Sequence, residues 1–337
     1  MGQARFEFHR DWLHNSHAMR SVQKPRRRLA RRAIAIPIAL IGTAVMLWIG
    51  AASFVTWHLI HPPFLENPLG DVFVASVKAR ASAQLGSDPK TCCDAAYEEV
   101  RVANRDAWLV AANGKSAMLL IPPSGASKRA MLPYLKFLHT ANFPVLMIDS
   151  PDLETGRAGW GWTGREVVLS AVAALKQKGF TKVGAVGISE GAAAAILAQS
   201  DGTHLDAIVS DSSVANLGAM LRHDPSLAGL NPAFLATVMW EFGLTLGKNP
   251  DAVSPESAAA KIGSCALMVI QDRGDPITPA SDGRAIYTRA SSIDRELWIA
   301  PTEGHGDAIY AAPDEYPKRV LDFLARNLAG SAKPQSR

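Results

Sequence analysis

Residues 182–199, KVGAVGISEGAAAAILAQ, limit the fold more than any other stretch. Lys182–Val186 is a short apolar run, the length of a buried strand. From Ala192 onward the alanine-rich sequence favours a helix. Only Gly187-Ile188-Ser189-Glu190-Gly191 lies between them. A strand that becomes a helix within five residues must turn sharply. Two glycines remove side chains where the elements approach each other. The turn can be packing alone, or it can aim a nucleophile. It sits at the carboxyl end of a strand, where open α/β sheets gather their ligands. A serine there is held strained with its hydroxyl exposed. The N–H of Glu190 opens the helix and is placed to face a developing oxyanion.

From Tyr97 onward, short apolar runs alternate with helical stretches. Strands are expected at 97–102, 107–110, 117–121, 145–149, 182–186, 207–210, 266–270 and 296–300. The first two form a hairpin through a turn at Asn104-Arg105-Asp106. Helices are expected over 131–140, 165–178, 192–199, 280–290 and 317–328. Continuous apolar strands separated by helices imply a mostly parallel sheet covered on both faces. Residues 212–262 lie between two strands and are expected to form a small helical cap.

A serine hydroxyl needs a base, and the base needs an orienting carboxylate. Strand 266–270 runs into QDRGDPITP, which places Asp272 and Asp275 just past its carboxyl end. Strand 296–300 runs into PTEGHGDA, which places His305 on the next such loop. Either residue alone has an ordinary structural explanation. Their joint placement after separate strands, in the order serine, acid, histidine, favours a catalytic set.

With these residues the chain resembles the α/β-hydrolase superfamily over roughly residues 97–330. The motifs are GISEG, GDPITP and EGHGDA. Residues HPPF, SPESAAAKI and DEYPKRVLDFL resemble bacterial membrane-anchored hydrolases of the dienelactone-hydrolase and prolyl-oligopeptidase-like branch. The resemblance implies Ser189 as nucleophile, Asp275 as acid and His305 as base. The family pattern of an acid, an apolar pair and proline favours Asp275 over Asp272. It also implies hydrolysis of a carboxylic ester or thioester, with no cofactor and no metal. A peptidase or amidase, and a hydrolase-like scaffold that binds without turnover, are the alternatives. The first lacks the amino-terminal propeller of an oligopeptidase. The family's His-Gly after the third strand is here Pro122-Pro123, and neither proline offers an N–H. Ser124 then supplies the second oxyanion donor beside Glu190. Trp160 and Trp162, in GRAGWGWTG, line an apolar substrate pocket or pack against the first helix.

Ahead of this domain, Ala33–Trp57 is 25 residues without a charge, enough to cross a bilayer. Residues 1–32 hold nine of the 35 Lys and Arg, and only Glu7 and Asp11 as acids. The basic sequence pI therefore belongs to this tail, and the remainder is slightly acidic, which removes the support for a nucleic-acid partner. Positive charge stays inside. The expected organisation is a cytoplasmic tail (1–32), a transmembrane anchor (33–58), a linker (59–96) with a short helix at 72–84, and a domain (97–330) outside. The apolar run exceeds a signal-peptide core, which favours an uncleaved anchor. The resemblance places it in the bacterial inner membrane, near lipid-derived or other small ester substrates. Cys92, Cys93 and Cys265 define no disulfide framework.

Overall fold

The computed structural model describes residues 11–62 and 86–328, with side chains from residue 35 onward. The short helix expected at 72–84 lies outside the described residues. The chain divides between Phe54 and Val55 into two units. The first belongs to helix α1 (Asp11–Ile60). Within α1, Ala35–Ile60 is long and apolar enough to cross a membrane, and 6% of its most apolar window is buried.

The second unit is built on an eight-stranded sheet in the order β1-β2-β4-β3-β5-β6-β7-β8. Its strands are β1 (Tyr97–Val102), β2 (Arg105–Val110), β3 (Ser116–Ile121), β4 (Val145–Ile148), β5 (Lys182–Ile188), β6 (Ala207–Asp211), β7 (Ala266–Asp272) and β8 (Arg295–Ala300). β2 is antiparallel to both its neighbours, β1 and β4, and β3 to β8 pair in parallel. The first hairpin corrects one expectation. Its turn is Ala103-Asn104, with φ of 48° and 64°, and Arg105 already pairs with Val102. A two-residue turn with both φ positive matches the twist of the strands it joins.

Short helix α2 (Pro89–Cys93), whose Cys92 and Cys93 are disulfide-bonded, precedes the sheet. Helices α3 (Leu132–Thr140) and α12 (Glu315–Leu328) cover one face. The opposite face is covered by α5 (Gly164–Gln177), α6 (Glu190–Ser200), α9 (Pro255–Ala259) and α10 (Ala280–Arg289). Strand residues alternate between the two layers. Leu119 and Ile121 join α5 and α6, whereas Met118 and Leu120 join α3 and α12. The parallel strands need apolar side chains on both sides for this reason. Between β6 and β7 come α7 (Leu217–His223), α8 (Pro232–Leu246) and α9. Short helices α4 (Pro151–Thr155) and α11 (Ala308–Ala311) follow β4 and β8. Cys265 is fully buried ahead of β7, and burial pushes its thiol pKa up.

Candidate active site

β5 passes into α6 at Ser189, whose φ of 54° and ψ of −115° lie outside ordinary helix or strand geometry. Such a residue costs on the order of 1–3 kcal/mol and persists only where its surroundings hold it. Here the Ser189 N–H donates to the Asp211 carbonyl at 2.7 Å. The close approach of strand and helix adds to this. A Cβ on Gly187 would lie 2.5 Å from the Gly191 carbonyl carbon, and one on Gly191 would lie 2.5 Å from the Ile121 carbonyl oxygen. The alanines of α6 are buried, so the helix lies tight on the sheet behind Ser189.

The structure brings Ser189, His305 and Asp275 together. His305 Nδ1 lies 2.7 Å from Asp275 Oδ2, and His305 Nε2 lies 2.8 Å from Ser189 Oγ. A carboxylate only accepts, so Nδ1 carries the proton and Nε2 is left to accept from the serine hydroxyl. Asp275 and His305 are buried, at 5% and 6% exposure, while Ser189 is partly exposed. Asp275 is held from its other side. Ile277 and Thr278 donate backbone N–H groups to Oδ1 at 2.8 and 2.9 Å, and the Thr278 hydroxyl donates to Oδ2 at 2.8 Å. These turn contacts follow from the sequence after Asp275, where Pro276 starts a tight turn.

Asp272 lies three residues earlier and makes different contacts. Its Oδ2 accepts the N–H of Asp307 at 2.7 Å, so it anchors the loop that carries His305. A second tie comes from β6. The N–H of Gly306 donates to Ser212 Oγ at 3.0 Å, and Ser212 donates to Asp211 at 2.9 Å. The Tyr316 hydroxyl of α12 also donates to Asp211, at 2.9 Å. Burial, followed by repulsion from Asp211, raises the Asp272 pKa to about 8; Asp275 and Asp307 add to the rise, and the Asp307 amide opposes it.

This raised pKa couples stability to pH. The native chain keeps a proton that the unfolded chain releases near the ordinary value of 3.8. The contribution is whole below that value and is lost as pH rises through about 8. The side chain introduced by Asp272→Asn stays neutral throughout. Melting temperatures of wild type and this variant should therefore converge or cross in the variant's favour as pH rises over that window. Parallel curves would rule out a native proton on Asp272.

The neighbourhood of Glu190 and Ser124 is also tied together by carboxyl groups. Glu190 is the first residue of α6, so its N–H has no acceptor within the helix. Its side chain turns back into the protein, where Oε1 accepts the Gly161 N–H at 2.8 Å. Asp152, 1% exposed at the start of α4, accepts the Gly159 N–H at 2.9 Å and the Ser124 hydroxyl. Burial pushes the Glu190 carboxyl well above the usual range, and the neighbouring Asp152 carboxylate pushes it further. The Ser124 hydroxyl thus fixes the Pro122-Pro123 loop to Asp152 of α4. No pattern in the sequence marks Asp152, because Ser124 and Glu190 are distant from it in the chain.

The two tryptophans pack against the hydrophobic cluster beneath α5 and α6. Trp162 has Arg165 at 3.3 Å and Lys248 at 4.6 Å from its ring centre. Its ring is therefore occupied by cations, which favours the packing alternative over an apolar pocket. Trp160 is partly buried with φ of 52°, and its indole N–H has no hydrogen-bond partner among the described residues.

No family model and no curated protein matches the chain. Solved structures do. An esterase from Pyrococcus furiosus superposes with a TM-score of 0.57 at 21% identity, over 72% of this chain and 95% of that one. The α/β hydrolase GrgF from a Penicillium species gives 0.52 at 18% identity, over 70% and 99%. A dienelactone hydrolase from Anabaena variabilis gives 0.50 at 17% identity, over 69% and 97%.

Proposed function

The chain has the α/β-hydrolase fold, and on that premise we propose that it is a serine hydrolase cleaving a carboxylic ester or thioester. The observation that carries the proposal is the unbroken line of hydrogen bonds from Asp275 through His305 to Ser189. Ser189 attacks the substrate carbonyl while His305 Nε2 takes the hydroxyl proton. Asp275 steadies the imidazolium. The tetrahedral oxyanion receives the N–H groups of Glu190 and Ser124. His305 then returns its proton to the leaving alcohol or thiol, and the acyl group remains on Ser189. Water repeats the cycle, with His305 as base, and releases the acid and the free serine. Proton, leaving group and water balance without a cofactor. The esterase and dienelactone hydrolase likenesses favour an ester over an amide.

The apolar run adds a place in the cell. The uncharged span, preceded by six Lys and Arg between positions 24 and 32, anchors the chain in a bacterial inner membrane with the basic end cytoplasmic. The hydrolase domain then faces the periplasm or exterior. Protease added to intact spheroplasts should digest that domain and spare an epitope tag fused before Met1. Protection of the domain until lysis would reverse the assigned orientation.

A further inference from the structure

Helix α8, PAFLATVMWEFGLTL, carries a single charge, Glu241, in 15 residues. Its inner side is ordinary. Val238, Met239, Phe242 and Leu246 are buried against the domain. Its outer side is not. Trp240 and Leu244, one turn apart, are each 63% exposed, and exposed Ala233 and Ala236 extend the same stripe toward the helix start. A helix on the surface of a globular domain places polar residues outward. A lone exposed leucine needs no explanation, but a continuous apolar stripe with a tryptophan marks a contact surface.

The chain beside this helix indicates what covers it. Residues 55–60, the last turns of the apolar run, dock on the same domain. Thr56 and Ile60 are 5% and 2% exposed. The Thr56 hydroxyl reaches the carbonyl of Val238 in α8 at 3.4 Å. The Ile60 carbonyl accepts the N–H of Ala158 at 2.7 Å. Val55 and Leu59 pack on the hydrophobic cluster that includes Met239, Phe242 and Leu246 of α8. A chain that leaves a bilayer along these residues brings α8 within about one helix diameter, ~10 Å, of its exit point. Tryptophan is the residue enriched at that depth, with its ring among acyl chains and headgroups. Arg157, next to Ala158, is exposed on the loop that holds Ile60, and supplies a cation near lipid phosphates.

We propose that α8 lies in the surface of the bilayer that anchors the chain, with the Trp240–Leu244 stripe immersed among lipid acyl chains. The proposal rests on the membrane part of the function reading and not on the hydrolytic part. It makes the domain a body held at the membrane by two contacts, the anchor and α8. An apolar helix face in this position binds lipid by burying its own apolar area.

The test uses the full-length chain in phosphatidylcholine proteoliposomes, with lipids brominated high on their acyl chains or left unmodified. Bromine quenches only tryptophans that reach the acyl region. Wild type is compared with Trp240→Phe and with Trp48→Phe, the latter reporting the span. Both replaced side chains are exposed in the protein, and circular dichroism melts check that each variant folds. Each substitution should remove a quenched component of comparable size, at every protein-to-lipid ratio. If only Trp48→Phe removes such a component, the span is in lipid and α8 is not, and the proposal fails. It fails equally if the Trp240 component appears or vanishes with protein density, which is the behaviour of a face covered by a second copy. If neither substitution matters, the membrane reading itself fails and takes the proposal with it. None of these outcomes reads hydrolysis, so a failed ester reading stays distinguishable.

Discussion

Ser189→Ala should lower kcat for short p-nitrophenyl esters by on the order of 10⁴-fold or more, because a nucleophile removed from a triad is not replaced by its neighbours. The fold should survive the change. Ser189 is partly exposed, its hydroxyl makes no hydrogen bond to backbone among the described residues, and alanine meets the same positive φ that serine does. The Ser189 N–H bond to Asp211 and the Gly187–Gly191 approach remain. Melting temperature should thus stay close to that of wild type while turnover disappears. Unchanged turnover in the folded variant would remove Ser189 from the chemistry.

Asp275→Asn is the second large effect expected, on the order of 10⁴-fold in kcat, through the wrong histidine tautomer. An asparagine retains the shape and can keep its carbonyl on the amides of Ile277 and Thr278. It then presents an N–H₂ to His305 Nδ1, which forces the ring proton onto Nε2. That nitrogen can no longer accept from Ser189. Asp272→Asn should do far less to kcat, since Asp272 meets the Asp307 amide rather than the imidazole. Steady-state kinetics of the two variants with one ester compares them directly. A larger loss from Asp272→Asn would show that the acid has been assigned to the wrong carboxylate.

The contrast between those two aspartates shows where sequence stops informing. Asp272 closes β7 and Asp275 follows three residues later, and the spacing alone puts either within reach of a histidine loop. The preference for Asp275 comes from family likeness, and the contacts that separate the two come from the turn at 275–278 and from Asp307 on another loop. Strands are legible because parallel strands buried on both faces must be apolar throughout, as Leu267–Ile270 is. The elbow is legible because only glycine fits at 187 and 191. The hairpin turn falls earlier than expected because Asn104 suits a positive φ in any of several registers, and strand pairing decides which. Asp152 and Glu190 are illegible as a pair, since each reads alone as a helix-start acid. The stripe on α8 is visible as an apolar run, but its exposure depends on which side the domain core takes.

The most direct measurement on the central claim is labelling with a fluorophosphonate, which reacts with a serine only when a base activates it. The full-length wild type should be labelled in a stoichiometric, time-dependent way, with the adduct mapping by peptide mass to Ser189, and His305→Ala should abolish it. A folded wild-type protein that takes up no label, or takes it up at a residue other than Ser189, would contradict the account.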